Sequence, residues 1–209
     1  MEPKRCVILC AGSITPQDVA AAAITSKDYI IAADAGYLHA KAYGITPNLI
    51  VGDFDSSADP GVLDIPIQRF SSHKDDTDCL LAVRRGLEEG CTRFVILGGL
   101  GGRLDHTLAN LQTLTFLADH GARGTLVGEC STITLLRSES ITLPKQPGYL
   151  SVFALGGPCS GVTLAGTEYP LEKAVLTPHF PLGVSNHIVA DLATVSVEEG
   201  DLLVMTTTR

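Results

Sequence analysis

The chain has no tryptophan, two methionines and only 5% aromatic residues in 209. Whatever core it builds must therefore rest on aliphatic side chains, within a hydrophobic fraction of 45%. No apolar run approaches the ~20 residues that a membrane-crossing helix needs. The apolar stretch in MEPKRCVILCAGS stops at Gly12 and Ser13, too soon for a secretory signal. There is no block of Lys and Arg either: 15 basic residues stand against 23 acidic ones, for a formal charge of −8. Such a chain lacks the bulk electrostatics that grip nucleic acid or an anionic membrane. Any phosphate it handles must be met locally, by a metal or by aimed backbone amides. Paired cysteine motifs are absent too. Cys6, Cys10, Cys79, Cys91, Cys130 and Cys159 are scattered with no CxxC, which reads as buried free thiols in a reducing cytoplasm.

What is present changes character near residue 126. Before it, short apolar runs alternate with helical segments. RCVILCA, DYIIAAD, NLIVGD, the run around Ile65–Phe70 and RFVILGG read as strands. Pro16 to Ser26, AGYLHAKAYG, a segment from Thr77 to Gly90, and a segment carrying Leu104, Leu108, Leu111 and Ala118 at helical spacing read as helices. Strands alternating with helices predict an α/β domain with a parallel, Rossmann-like sheet over 1–126. After Gly128 the runs ITLLR, SITLP, GYLSVFAL, AVLTP, ATVSV and DLLVMTT, spaced by glycine-containing turns, predict an all-β sandwich over 127–209.

In an open parallel sheet the ligand lies beyond the carboxyl ends of the strands. Those ends carry Gly12 and Ser13, then Asp34, then Asp53 and Asp55. Next come Lys74, Asp75, Asp76, Thr77 and Asp78, and finally the run GGLGGRLDH with Gly101, Gly102, Arg103, Asp105 and His106. Singly, each has a plain reading. Asp53 and Asp55 fit solvated turn residues; Asp34 and the 75–78 carboxylates fit helix caps; His106 and Asn110, four apart, fit a helix surface. Together, several carboxylates on one rim raise one another's pKa unless a cation shares them. An all-oxygen set points to Mg²⁺ and phosphates, hence to a nucleotide. The glycine run, between a strand and a helix, suits phosphate oxygens, although it is neither a Walker A loop nor GxGxxG.

GDFDS, KDDTD and GGRLDHTLANL, followed by SGVTLAGTEYPLE and LGVSN, resemble in order and spacing the thiamine pyrophosphokinase (thiamine diphosphokinase) family. The resemblance implies Mg²⁺-dependent transfer of a pyrophosphoryl group from ATP to thiamine, giving thiamine diphosphate and AMP. It implies a homodimer with an active site shared between subunits, an ATP- and Mg²⁺-binding first domain, and a second domain for thiamine binding and dimerisation. Carried over by motif, Asp53, Asp55 and Asp75 hold the metal, and Asp78 completes the catalytic set. Asp34, Lys74, Thr77, Gly101, Gly102, Arg103, Asp105, His106 and Asn110 serve the nucleotide. Tyr169, Ser185 and Asn186 serve thiamine. Either Asp78 or Asp105 can be the base. The chain departs from the pattern in lacking Trp and in having His187 after Asn186, which leaves Tyr169 or Phe180 as the aromatic wall. Two other classes compete: an Mg²⁺-dependent nucleotide phosphohydrolase, and a non-catalytic sensor of nucleotide or thiamine.

Overall fold

The computed structural model describes residues 4–54, 64–70 and 76–208. Two compact units divide the chain, Met1–Glu129 and Cys130–Arg209. Over the whole chain the strand pairing is mixed: parallel in the first unit, antiparallel in the second.

The first unit contains β1 (Arg5–Leu9), α1 (Pro16–Ala22), β2 (Tyr29–Ala33), α2 (Gly36–Ala42), β3 (Leu49–Gly52) and β4 (Ile67–Arg69). It continues with α3 (Asp78–Glu88), β5 (Arg93–Leu97), α4 (Leu104–Asp119) and β6 (Arg123–Gly128). The strands lie in the order β4-β3-β2-β1-β5-β6. RCVIL and YIIAA are apolar at successive positions because both faces of the sheet are covered. On one face Val7 and Leu9 pack with Ala22 of α1 and Ala40 of α2. On the other, Cys6 and Phe94 close on Gly86 of α3, and Leu114 and Leu117 of α4 sit over Gly124 of β6.

Three local features differ from the expectation. The first helix ends at Ala22, not near Ser26, because Ala23 takes a left-handed conformation (φ 45°). β6 was not legible as a strand. In α4 the face marked by Leu104 and Leu108 is turned outward, with Leu104 72% exposed. The buried positions are Asn110, Thr113, Leu114 and Leu117. These also recur at i, i+3, i+4 and i+7, so periodicity alone could not choose. The polar members tolerate burial because each is bonded: Asn110 to Gly99 O at 2.8 Å, Thr113 to Ala109 O at 3.0 Å.

Arg5 ties β1 to the segment after α1. It donates to Asp28 at 2.7 and 2.6 Å and to the carbonyl of Ala23 at 2.8 Å, at the negative end of the α1 dipole. The hydrogen bond from Arg5 holds Asp28 below the usual carboxylate range, against the opposing effect of burial. Asp28 is thus charged, and its bond intact, above the unfolded value near ~3.9. That stability is lost as pH falls through the lowered folded value. Asp28→Asn should therefore flatten the stability change below about pH 4, read by urea unfolding at pH 3 and pH 6; an unaltered pH slope would remove Asp28 from the acid response.

The second unit is built from β7 (Ser131–Arg137), β8 (Ser140–Pro144), β9 (Tyr149–Ala165), β10 (Leu171–Leu176), β11 (Gly183–Asn186), β12 (Leu192–Ser196) and β13 (Glu199–Thr207). β9 is long enough to serve two layers. Its first half pairs with β13 and β11, and its second half with β10 and β12. Leu150 and Val152 from the first half meet Val162 and Leu164 from the second, with Val195 of β12 and Leu202 of β13, in one core. Among the described residues no helix is long and apolar enough to cross a membrane.

Candidate active site

A cavity of about 600 Å³ opens in the first unit where the strands end. β1 delivers Cys10, Ala11 and Gly12 to its wall, β2 delivers Ala33 and Asp34, and β3 delivers Asp53. β5 runs into Gly98 and Gly99, and then Gly101, Gly102 and Arg103 lead into α4, which adds His106 and Asn110. The first turn of α3 adds Thr77, Asp78 and Cys79. Ten of the residues expected from sequence thus share one wall: Gly12, Asp34, Asp53, Thr77, Asp78, Gly101, Gly102, Arg103, His106 and Asn110. Asp105 is not on that wall, Ser13 is not either, and Asp55, Lys74 and Asp75 lie outside the described residues.

The backbone explains how the wall is built. Cys10 N donates to Leu97 O at 2.8 Å and Gly12 N to Gly98 O at 3.1 Å, so the exits of β1 and β5 run side by side. A Cβ at Gly12 would stand 2.4 Å from Gly98 O, so no larger residue fits there. Asp34 and Phe54 both adopt left-handed backbone, φ 47° and 57°, which is uncommon for non-glycine residues. For Asp34 the turn is held by its own N–H donating to Val51 O at 2.7 Å.

Capping does not account for these carboxylates. The N-cap of α2 is Ala35, without a side-chain bond, so Asp34 does not cap. The N-cap of α3 is Thr77, whose hydroxyl accepts from Leu80 N at 3.2 Å, and Asp78 lines the cavity. Asp76 is different. It pairs with Arg84 at 2.9 Å, and Arg84 lies over the Phe116 ring at 4.7 Å, so Asp76 tethers the loop to the helices.

Arg103 and Asp105 form an exposed pair at the start of α4, with bonds of 3.2 and 2.6 Å. That hydrogen bond holds Asp105 below the usual carboxylate range. The N-cap residue of α4, Arg103, makes no side-chain cap, Asp105 Oδ1 accepts from His106 N at 3.0 Å, and the first turn follows the glycine run directly, a placement that suits an anion. Asn110 shapes that run from beneath through its bond to Gly99 O. Asn110→Ala should orphan that carbonyl, cost about 1–2 kcal/mol of stability and loosen the loop. The expected result is a KM for ATP raised about 3–10-fold, each tenfold being about 1.4 kcal/mol; an unchanged KM alongside a lower melting temperature would limit Asn110 to a structural role.

Oxygen donors dominate the wall: Asp34, Asp53 and Asp78 suit Mg²⁺, which takes one or two carboxylates and completes its shell with water and phosphate. Among the described residues no three His, Cys, Asp or Glu side chains gather closely enough to cage an ion by themselves. Two of the three expected ligands, Asp55 and Asp75, lie outside those residues, and the donor chemistry that is described fits magnesium.

In the second unit Tyr169, Ser185 and Asn186 are linked through backbone. Asn186 is buried; its amide donates to Tyr169 O at 2.7 Å, and its Oδ1 accepts from Tyr169 N at 3.0 Å and from His187 N at 2.8 Å. Its side chain is thus a clamp, and the groups turned to solvent are Tyr169 and Ser185. Ser185 also sits in left-handed backbone, φ 60°, with its N–H donating to Ser151 Oγ at 3.0 Å. Among the wall residues that the sequence did not point to are Cys10 and Cys79. Their signal was position: one directly follows a strand, the other directly follows Asp78. The neighbouring Cys79 thiol, followed by burial, pushes the Cys10 thiol above its ordinary value.

Comparison with known proteins bears on both units. The family profile for "Thiamin pyrophosphokinase, catalytic domain" matches residues 20–123, and that for "Thiamin pyrophosphokinase, vitamin B1 binding domain" matches residues 138–202. The chain is 28% identical over 185 residues to a thiamine pyrophosphokinase of Bacillus subtilis (strain 168), covering 85% of this chain and 86% of the relative. A crystal structure of thiamine pyrophosphokinase from Bacillus subtilis superposes with a TM-score of 0.89 at 25% identity, covering 99% of this chain and 100% of that one. A thiamin pyrophosphokinase family protein from Enterococcus faecalis superposes with a TM-score of 0.81 at 26% identity, covering 99% of each chain.

Proposed function

The chain belongs to the thiamin pyrophosphokinase family and has thiamine diphosphokinase activity, and from that premise we propose how its residues divide the reaction. The parallel sheet of the first unit serves as a Rossmann-like ATP- and Mg²⁺-binding domain. The second unit is a β-sandwich that meets thiamine through Tyr169, Ser185 and Asn186 and forms a homodimer whose subunits share the active site. The observation that carries this reading is the convergence of Asp34, Asp53, Asp78 and Arg103 on one cavity at the carboxyl ends of four parallel strands. Six free cysteines fit a cytoplasmic enzyme.

The hydroxyl oxygen of thiamine attacks the β-phosphorus of ATP, and AMP leaves. As in other phosphoryl transfers, alignment and charge neutralisation supply most of the acceleration. The amides of the 98–102 run and the first turn of α4 hold the phosphate oxygens. Arg103 exchanges its exposed partner Asp105 for a bidentate phosphate contact. Asp53, with Asp55 and Asp75, would hold the Mg²⁺ that offsets the triphosphate charge. Asp78 accepts the hydroxyl proton: it is on the cavity wall, whereas Asp105 is off it and committed to Arg103.

Phosphorus NMR of the purified protein with ATP and Mg²⁺, with and without thiamine, tests the reading. AMP and thiamine diphosphate should appear together, and only when thiamine is present. ADP or free phosphate without thiamine would mark a phosphohydrolase, and ATP binding without turnover would mark a sensor. For the second unit, Ser185→Ala should raise the KM for thiamine with little effect on that for ATP; an unchanged thiamine KM would take Ser185 out of the thiamine site.

A further inference from the structure

Asp53 lines the cavity, yet the residue that follows it turns back into the core. Phe54 is 8% exposed and packs with Ala32 and Ile50 in a small apolar cluster, with Ile65 and Ile67 against it. Its backbone is left-handed, φ 57°, a conformation that a bulky side chain keeps when its surroundings hold it there. The end of β4 supplies two such restraints. Gly52 stands opposite Arg69 in the β3–β4 register, and Phe70 N donates to Gly52 O at 3.2 Å. The exposed Arg69 in turn lays its guanidinium over the Phe54 ring, with Cζ 5.0 Å from the centroid. Asp53, between Gly52 and Phe54, is thus held from both sides by one strand.

We propose that Arg69 is a positioning residue for the reaction: by clamping the Phe54 ring it fixes the turn that aims the Asp53 carboxylate into the cavity. A cation over an aromatic face is attracted by the ring quadrupole, and a planar guanidinium stacks there as well. A Phe54 that relaxed out of its left-handed backbone would carry its ring away from both the apolar cluster and Arg69. The contact therefore opposes release of the turn, and Asp53 stays aligned while the reaction runs.

Two roles for this cation leave different kinetic signatures. Acting through Phe54, Arg69 changes how well Asp53 is aligned, which alters kcat and leaves the KM values for ATP and thiamine in place. Touching a phosphate itself, it would contribute to ATP binding, and its removal would raise the KM for ATP whatever side chain stands at position 54. The predicted effect on kcat rests on Asp53 serving the reaction; the clamp on Phe54 does not.

The experiment is a double-mutant cycle on the full chain. Arg69→Met keeps the aliphatic stem and removes the cation. It should lower kcat about three- to fivefold, the range that a cation–π contact at an exposed site supports, with both KM values within about twofold. Arg69→Lys keeps a cation and should retain more than half of the parent kcat. In a Phe54→Leu background the further effect of Arg69→Met on kcat should shrink to less than about 1.5-fold, and its shift of the urea midpoint, read without any ligand, should vanish with it. A loss that persists in full in that background, or that appears as a raised KM for ATP, would overturn the clamp. A Lys variant as impaired as the Met variant would overturn it too, and this contrast decides the matter even where Phe54→Leu does not fold. Asp53→Asn in the same assay separates the clamp from the assigned reaction. If Asp53→Asn is crippled while Arg69→Met matches the parent, the clamp alone fails; if both match the parent, the role of Asp53 fails with it.

Discussion

Asp53→Asn should lower kcat by at least ~10²-fold while moving the melting temperature by no more than a few degrees. Asp53 directly follows the last residue of β3, is only partly buried, and faces the cavity at the carboxyl edge of the sheet. Its carboxylate is thus placed for charge stabilisation and is not needed to fill the core. Replacing it with an isosteric amide keeps the shape and removes the charge that would hold Mg²⁺ against the phosphates. The loss should fall mainly on kcat, because the charge that needs neutralising grows as the bond between the β-phosphorus and the bridging oxygen, which leaves with AMP, breaks. The check is initial-rate formation of thiamine diphosphate at saturating ATP and thiamine over a range of Mg²⁺ concentrations. Activity within threefold of the parent protein would remove Asp53 from the metal site and leave Asp34 and Asp78 as the remaining described carboxylates of the wall.

Much of this arrangement is legible in the sequence, for definable reasons. Continuous apolar runs such as RFVIL and YIIAA can only be strands covered on both faces, which means parallel pairing with flanking helices. Parallel pairing in turn sends every strand end to one edge. That single rule brought together Asp34, Asp53, Thr77, Asp78 and the 101–103 run, positions up to 69 apart in the chain. What stayed hidden had specific causes. GTLVG carries glycine at both ends, so β6 resembled a turn. GVSN pairs irregularly with β9, with a register shift between Gly183 and Asn186, so its alternation was masked. In α4 two faces had equally good spacing, and the one that packs is led by Asn110, because its amide satisfies Gly99 O. The bonds by which the Asn186 side chain holds Tyr169 and His187 are likewise absent from any sequence pattern. Hydrogen bonds of that kind follow from tertiary approach, and no local pattern announces them.

Gly36→Ala should be the most destabilising of the conservative substitutions considered for this unit, because it strikes where two elements support the wall together. Gly36 begins α2 immediately after Asp34 and Ala35, and a Cβ there would stand 1.9 Å from Leu9 O and 2.7 Å from Leu9 C. The obstacle is backbone at the end of β1, which cannot rotate aside as a side chain could. Alanine in a helix interior ordinarily gains up to ~1 kcal/mol over glycine. Here the sign reverses, since either α2 must lift from the sheet or β1 must yield. A yielding Leu9 carbonyl would disturb the neighbouring Cys10 N–H bond to Leu97 O, and with it the wall from Cys10 to Gly12. A cost of about 3 kcal/mol is expected, within the range of overpacking and strain. For a chain of this length that corresponds to a fall of roughly 6–12 °C in melting temperature. Thermal unfolding followed by circular dichroism reads it directly, and the surviving folded protein should also show a raised KM for ATP. A variant that melts within two degrees of the parent would mean that β1 and α2 are not in this close contact.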